Sequence, residues 1–188
     1  MSNIFLISDT HFFDHEMLMY YTPNGNKVRD FASVEEMNEH MVDRWNSVVG
    51  VSDTVYHLGD VFYDRTPELR LKFEELWFRL NGKKKLTVGN HDDLRYLSGK
   101  AITKDRWLFK DVHFWKKLPE FGVFLSHDPK HTQTLYSSTD LSKQLHNIHG
   151  HTHTNGSPEG PYTSVCVELV DYTPKSLEEI ASEIHRSQ

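Results

Sequence analysis

The sequence predicts an α/β layered fold with more than one sheet, and three observations carry that reading. Short apolar runs of strand length alternate with amphipathic helical stretches through the first half of the chain. The second half is richer in strand-like runs. Five of the predicted strands also end in Asp, Asn or His, and α/β proteins place their chemistry at the carboxyl ends of strands.

The elements follow in order. Asn3 to Ile7 is a continuous apolar run, suited to a strand buried on both faces, and Asp9-Thr10-His11 leaves it. Phe12 to Tyr21 begins with a short helix, and Thr22-Pro23-Asn24-Gly25-Asn26 is a loop. Ser33 with Glu36 forms a capping box for a helix running to about Val48, with Val34, Met37, Met41, Trp45 and Val48 on its apolar face. Thr54 to Leu58 is the second strand, leading into Gly59-Asp60. Pro67 opens a helix carrying Leu69, Phe73, Leu76, Trp77 and Leu80, which stops near Asn81-Gly82. Lys85 to Val88 is the third strand, followed by Gly89-Asn90-His91-Asp92 and a short helix or turn to Leu97. Val112 to Trp115 and Gly122 to Leu125 are strands, the second leading to His127. Asp140 caps a short helix ending near Gln144, and Asn147 to His149 is the strand before Gly150-His151-Thr152-His153. Ser164 to Val170 reads as the last strand, and Ser176 with Glu179 caps a C-terminal helix.

The bulk numbers exclude several function classes. At 188 residues the chain reads as one domain, residues 1–188, large enough to bury a core. A formal charge of −6 argues against a surface that coats nucleic acid, since nonspecific phosphate binding needs clustered Lys and Arg. A small anionic substrate stays open, because metal ions can supply local positive charge. The single cysteine, Cys166, forms no intrachain disulfide. No apolar run reaches membrane-spanning length and the N-terminus lacks a secretory pattern, so a soluble, cytoplasmic protein without a membrane partner is expected.

The strand-end inventory is Asp9, His11, Asp60, Asn90, His127, His151 and His153. These are oxygen and nitrogen donors for hard and borderline divalent ions, with no thiolate among them. Seven donors are too many for one ion and suit two, with one carboxylate bridging. Two ions about 3.5–4 Å apart can clamp a phosphate and activate a water between them for in-line attack. His91 is left over beside Asn90, placed to protonate a leaving alkoxide as general acid, with Asp92 or another carboxylate to orient it.

In this order, Asp9-x-His11, Gly59-Asp60, Gly89-Asn90-His91-Asp92, His127 and Gly150-His151-x-His153 resemble the calcineurin-like metallophosphoesterases, over about residues 4–170. Ser8-Asp9-Thr10-His11-Phe12 with His15, and Thr54 to Asp60, resemble compact bacterial and phage members. The resemblance implies a four-layered α/β/β/α sandwich with two divalent metal ions. It implies Asp9, His11 and His153 on the first ion, Asp60 as the bridge, and Asn90, His127 and His151 on the second. It also implies His91 as the acid or as a holder of a phosphate oxygen. Mn²⁺ is the first choice of ion, before Fe, Zn, Ni and Mg. The expected substrate is a small phosphodiester, such as a cyclic or other small nucleotide. Phosphomonoester hydrolysis, nuclease action and a non-catalytic scaffold of the same fold are the alternatives. The segment from Phe12 to Gly50 separates the first motif from the next strand and is expected to shape the substrate pocket.

The remaining candidates have plainer readings. His57 and His149 sit inside strands and are expected in the core or behind the ligands. His15 suits either the pocket or the surface. Arg29, Arg65 and Arg95 lie near strand-end loops and are read as solvated, as is the run Lys83-Lys84-Lys85. Tyr20, Tyr21, Tyr63 and Tyr136 lie near the site in sequence and could stack on a base.

Overall fold

A computed structural model describes residues 2–62, 66–136 and 143–186. Tyr63, Arg65 and the expected cap Asp140 lie outside the described residues.

The first strand, β1 (Ile4–Ile7), is followed by a 3-10 turn, His15–Leu18, capped by Asp14. Helix α1 (Val34–Val48) starts at Ser33, whose hydroxyl accepts from Glu36 N at 3.1 Å. Its buried face is Val34, Met37, Met41 and Trp45. Val48 is 41% exposed, and Val49, just past the helix, is buried in its place. Strand β2 (Thr54–His57) precedes α2 (Pro67–Trp77), and β3 (Lys83–Thr87) precedes the short α3 (Leu94–Leu97).

Three expectations about strands fail. The third strand begins at Lys83, so the lysine run is the strand itself. Lys84 is buried, and its amine donates to the carbonyls of Trp77 (3.2 Å) and Leu80 (2.6 Å), satisfying carbonyls at and just beyond the end of α2. The run Val112 to Trp115 is also not one strand. It splits at Phe114 into β4 (Asp111–His113), on the edge of the first sheet, and β5 (Trp115–Leu118), on the edge of the second.

The second sheet continues with β6 (Val123–Ser126), β7 (His146–His149) and β8 (Tyr162–Ser164). The expected last strand is thus displaced: Ser164 ends β8, and beyond it only a Ser8–Cys166 bridge survives. The strand Lys175–Ser176 (β9) pairs with β1 and runs directly into α4 (Leu177–Arg186).

The first sheet has the order β4-β3-β2-β1-β9, with β1 to β4 parallel. The second has the order β5-β6-β7-β8, with β6 to β8 parallel. Alternation along β1 sets the layers. Phe5 and Ile7 face the core under α1 and α2, with Met37, Trp45, Phe73 and Trp77. Leu6 faces the core between the sheets, with Tyr56, Val123, Leu125 and Ile148, which α4 closes with Leu177, Ile180 and Ile184. Beyond the second sheet, Phe124 is covered by Leu135 and Leu145. The layers are those of an α/β fold with two packed sheets, the architecture the resemblance implies. No helix among the described residues is long and apolar enough to cross a membrane.

Candidate metal centre

Parallel strands point the same way, so β1, β2 and β3 deliver their last residues to one edge of the first sheet. Strands β6 and β7 do the same in the second. Backbone bonds sew the strand-end loops together. Asp9 N donates to Gly59 O (2.9 Å), His11 N to Asp60 O (3.0 Å) and Gly150 N to His127 O (2.8 Å). His151 N donates to Asp9 Oδ2 (2.9 Å), joining the two sheets.

The chain is bent hard here. Asp9 (φ 59°), His11 (46°), Asp60 (54°), His151 (70°) and His153 (46°) all lie in the left-handed region. Such conformations cost free energy in a non-glycine residue and cluster where function fixes them.

The expected donors meet in two groups. Asp9, His11 and His153 bring donor atoms within 4.8 Å of one another, and so do Asp60, His127 and His151. Asn90 joins the second group: its Oδ1 lies 2.9 Å from His127 Nε2 and 3.0 Å from His151 Nδ1. Asp60 sits between the groups. Its Oδ1 accepts from His91 N (2.9 Å), while Oδ2 lies 3.7 Å from His11 Nε2 and 3.3 Å from His127 Nε2. Asp9 is divided in the same way. Oδ2 takes the Ser8 hydroxyl and His151 N, and Oδ1 is buried with no hydrogen-bond partner.

Three imidazoles are aimed by what holds Nδ1. His11 Nδ1 donates to Asp14 (3.1 Å), His127 Nδ1 to Leu58 O (2.8 Å) and His153 Nδ1 to Glu168 (2.9 Å). Each leaves Nε2 facing the carboxylates, the arrangement typical of metal-binding histidines. Burial opposes the charge on Asp60, but the His127 imidazole and the His91 amide hold its carboxyl down at about 2. Burial also pulls His127 down, yet Asp60 and Asp9 raise it to about 9. The centre therefore attracts positive charge.

The residues meet the demands of a divalent cation. Asp9 Oδ1 and His11 Nε2 are buried polar atoms without a hydrogen-bond partner, an arrangement that costs free energy unless something pairs with them. The calcineurin-like phosphoesterase profile matches residues 2–162.

The chain belongs to the calcineurin-like phosphoesterase family.

This phosphoesterase is 31% identical over 195 residues to an uncharacterised protein of Methanocaldococcus jannaschii, across 100% of this chain and 94% of that protein. It is 33% identical over 178 residues to the gene 66 protein of Mycobacterium phage L5, across 82% and 79% of the two chains. A protein of unknown function from Aquifex aeolicus has the same fold, with a TM-score of 0.68 at 27% identity, over 97% of this chain and 99% of that one. Metal-dependent phosphoester hydrolysis is the chemistry this family membership and the two donor groups support.

The other expected residues of the phosphoesterase sort as follows. His91 is exposed at the mouth, its ring 5.6 Å from that of His11. The Asp92 carboxylate accepts from the amides of Gly89 (2.7 Å), Val61 (2.9 Å) and Asp60 (3.1 Å). Those contacts give Asp92 the work of fixing the turn that presents Asp60. Fully buried His57 is pushed by desolvation to about 3, so it is neutral. His149 is also fully buried, and His15 is exposed away from the metal groups. Tyr20 and Tyr21 line the cavity beside the centre.

Sequence reasoning missed Asp14 and Glu168 and misplaced Arg29. Asp14 had a local signal, its position three residues after His11. Glu168 had none. Arg29, expected in solvent, is fully buried and paired with Glu168 at 2.7 Å. Arg95 is exposed, as expected.

Proposed function

We propose that this phosphoesterase hydrolyses a small phosphodiester, such as a cyclic or other small nucleotide, with two divalent ions, Mn²⁺ first among them. Asp9, His11 and His153 would hold one ion, Asn90, His127 and His151 the other, and Asp60 would serve both. The observation that carries this reading is the place of Asp60 Oδ2, between His11 Nε2 of one group and His127 Nε2 of the other. What such a pair supplies is neutralisation of phosphate charge and a water of lowered pKa. The chain supplies the rest. The Asp60 and Asp9 carboxylates are each held by one oxygen, which leaves the other preset. His91, exposed beside His11, would give a proton to the leaving oxygen.

A cavity of about 470 Å³ opens beside His11, His153 and His91, walled by Met17, Tyr20, Tyr21, Pro23 and Val28 from the segment expected to shape it. Its described lining carries no lysine or arginine. That suits an ester with an uncharged, flat second group better than a polyphosphate.

The test is hydrolysis of bis(p-nitrophenyl) phosphate and p-nitrophenyl phosphate by metal-stripped protein with Mn²⁺, Ni²⁺, Zn²⁺ or Mg²⁺ returned. The expected result is metal-restored cleavage of the diester, lost with metal in Asp60→Ala and Asn90→Ala, and lost with metal retained in His91→Ala. Full turnover in Asp60→Ala would overturn the mechanism. Cleavage of the monoester alone would overturn the diester preference.

A further inference from the structure

We propose that Arg29 and Glu168 are positioning residues for the first metal group, and that Arg29 keys the wall of the substrate cavity into that group. The proposal rests on reading Asp9, His11 and His153 as ligands of one ion.

A fully buried arginine is rare unless its donors are engaged. Here Nε donates to Glu168 Oε1 (2.8 Å), and Nη2 reaches the same oxygen (2.7 Å) and the Asp9 carbonyl (2.5 Å). Nη1 donates to the Thr10 carbonyl (2.8 Å). The guanidinium therefore grips the backbone of the segment Asp9-Thr10-His11 at two successive carbonyls. Asp9 and His11 are the residues of that segment held at positive φ, and strained backbone persists only where its surroundings over-determine it.

Glu168 completes the link. The oxygen that takes Arg29 also accepts from His153 Nδ1 (2.9 Å), so the carboxylate fixes the tautomer and direction of that ring. Its other oxygen is buried without a hydrogen-bond partner. Arg29 and the His153 N–H are thus the groups that hold this charge among the described contacts. A carboxylate left buried without its cation is strongly unfavourable.

Arg29 also ends a hairpin. Val28 N donates to Tyr20 O (2.9 Å), Thr22 N to Asn26 O (2.8 Å), and Tyr21 bridges Lys27. This hairpin carries Tyr20, Tyr21 and Val28 into the cavity wall. Its last residue runs straight into the guanidinium that grips Asp9. The rings of the second group are aimed by other partners: His127 Nδ1 bonds the Leu58 carbonyl and His151 Nδ1 faces Asn90 Oδ1, the tie of His151 to Asp9 running through its backbone amide. Loss of the Arg29–Glu168 link should therefore be felt unequally by the two ions.

The experiment titrates metal-stripped wild type, Glu168→Gln and Arg29→Lys with Mn²⁺ by calorimetry, with kcat and KM for bis(p-nitrophenyl) phosphate and a thermal melt of each protein. Wild type is expected to bind two ions. Glu168→Gln should keep one at wild-type affinity and hold the other about 10–100-fold more weakly. Arg29→Lys should show the same asymmetry and a raised KM, from displacement of the hairpin. Two ions at wild-type affinity in Glu168→Gln, or both weakened by one common factor, would overturn the proposal. If Arg29→Lys fails to fold, the isosteric Glu168→Gln decides alone. Fewer than two ions in wild type would instead overturn the two-ion reading on which the proposal stands.

Discussion

Gly150 separates β7 from His151, and replacing it with alanine tests how tightly the centre is built. Its backbone is outside the left-handed region, so an alanine carries no conformational penalty there and the effect is one of space. A Cβ would lie 1.8 Å from Ser8 Oγ, 2.4 Å from Asp9 Oδ2 and 2.7 Å from Ser8 Cβ, where ordinary contact begins at 3.4 Å. Rotating Ser8 relieves the first clash but not the third. Its backbone is pinned by Val165 O (3.0 Å) and Val167 N (3.1 Å). The Asp9 carboxylate must therefore move by about 1 Å, and a misplacement of that size at a catalytic centre costs roughly 10²-fold. Overpacking adds about 1–3 kcal/mol of destabilisation, or several degrees in Tm. The assay is kcat/KM for the diester with Mn²⁺, the number of ions bound, and a thermal melt. Gly122→Ala is the control: its φ of 68° brings strain, but nothing lies within 4 Å of the added Cβ, so it should lose stability and keep kcat/KM. Wild-type kcat/KM with both ions retained in Gly150→Ala would refute the reasoning.

Three further outcomes are expected. Burial, with repulsion from Arg106, pulls the Lys84 amine from its ordinary 10.5 to about 7. Between those values the unfolded chain holds a proton the folded one lacks, so this group makes stability rise with pH, by about 1.4 kcal/mol per unit. Urea melts from pH 7 to 10 should show that rise in wild type and a flatter profile in Lys84→Met; parallel profiles would refute it. Asp92→Asn turns one acceptor oxygen towards the amides of Gly89, Val61 and Asp60 into a donor, and should cost about 1–3 kcal/mol and weaken metal binding through Asp60; an unchanged melt would count against the role given to Asp92. Ser33→Ala removes the cap of α1 and should lower stability by about 1 kcal/mol in a denaturant melt while leaving kcat/KM unchanged.

The sequence by itself determined the strands and helices whose signals are local, such as the Ser33 cap and the apolar runs of β1 and β2. It also determined which residues stand at the strand ends, Asp9, Asp60, Asn90, His127 and His151, and parallel pairing within each sheet carries them to one edge of it. Only the tertiary structure decided what a charged side chain meets. Lys84 sits in a run that looks solvated, and becomes a buried cap because β3 passes beneath the end of α2. Phe114 looks like strand interior, and is the point where the chain changes sheets. Arg29 and Glu168 are 139 positions apart, and neither has a neighbour in sequence that announces the other. Local patterns report periodicity and turn chemistry within a few residues. The burial of a charge depends on a partner supplied from across the fold, and that pairing exists only once the two sheets have packed.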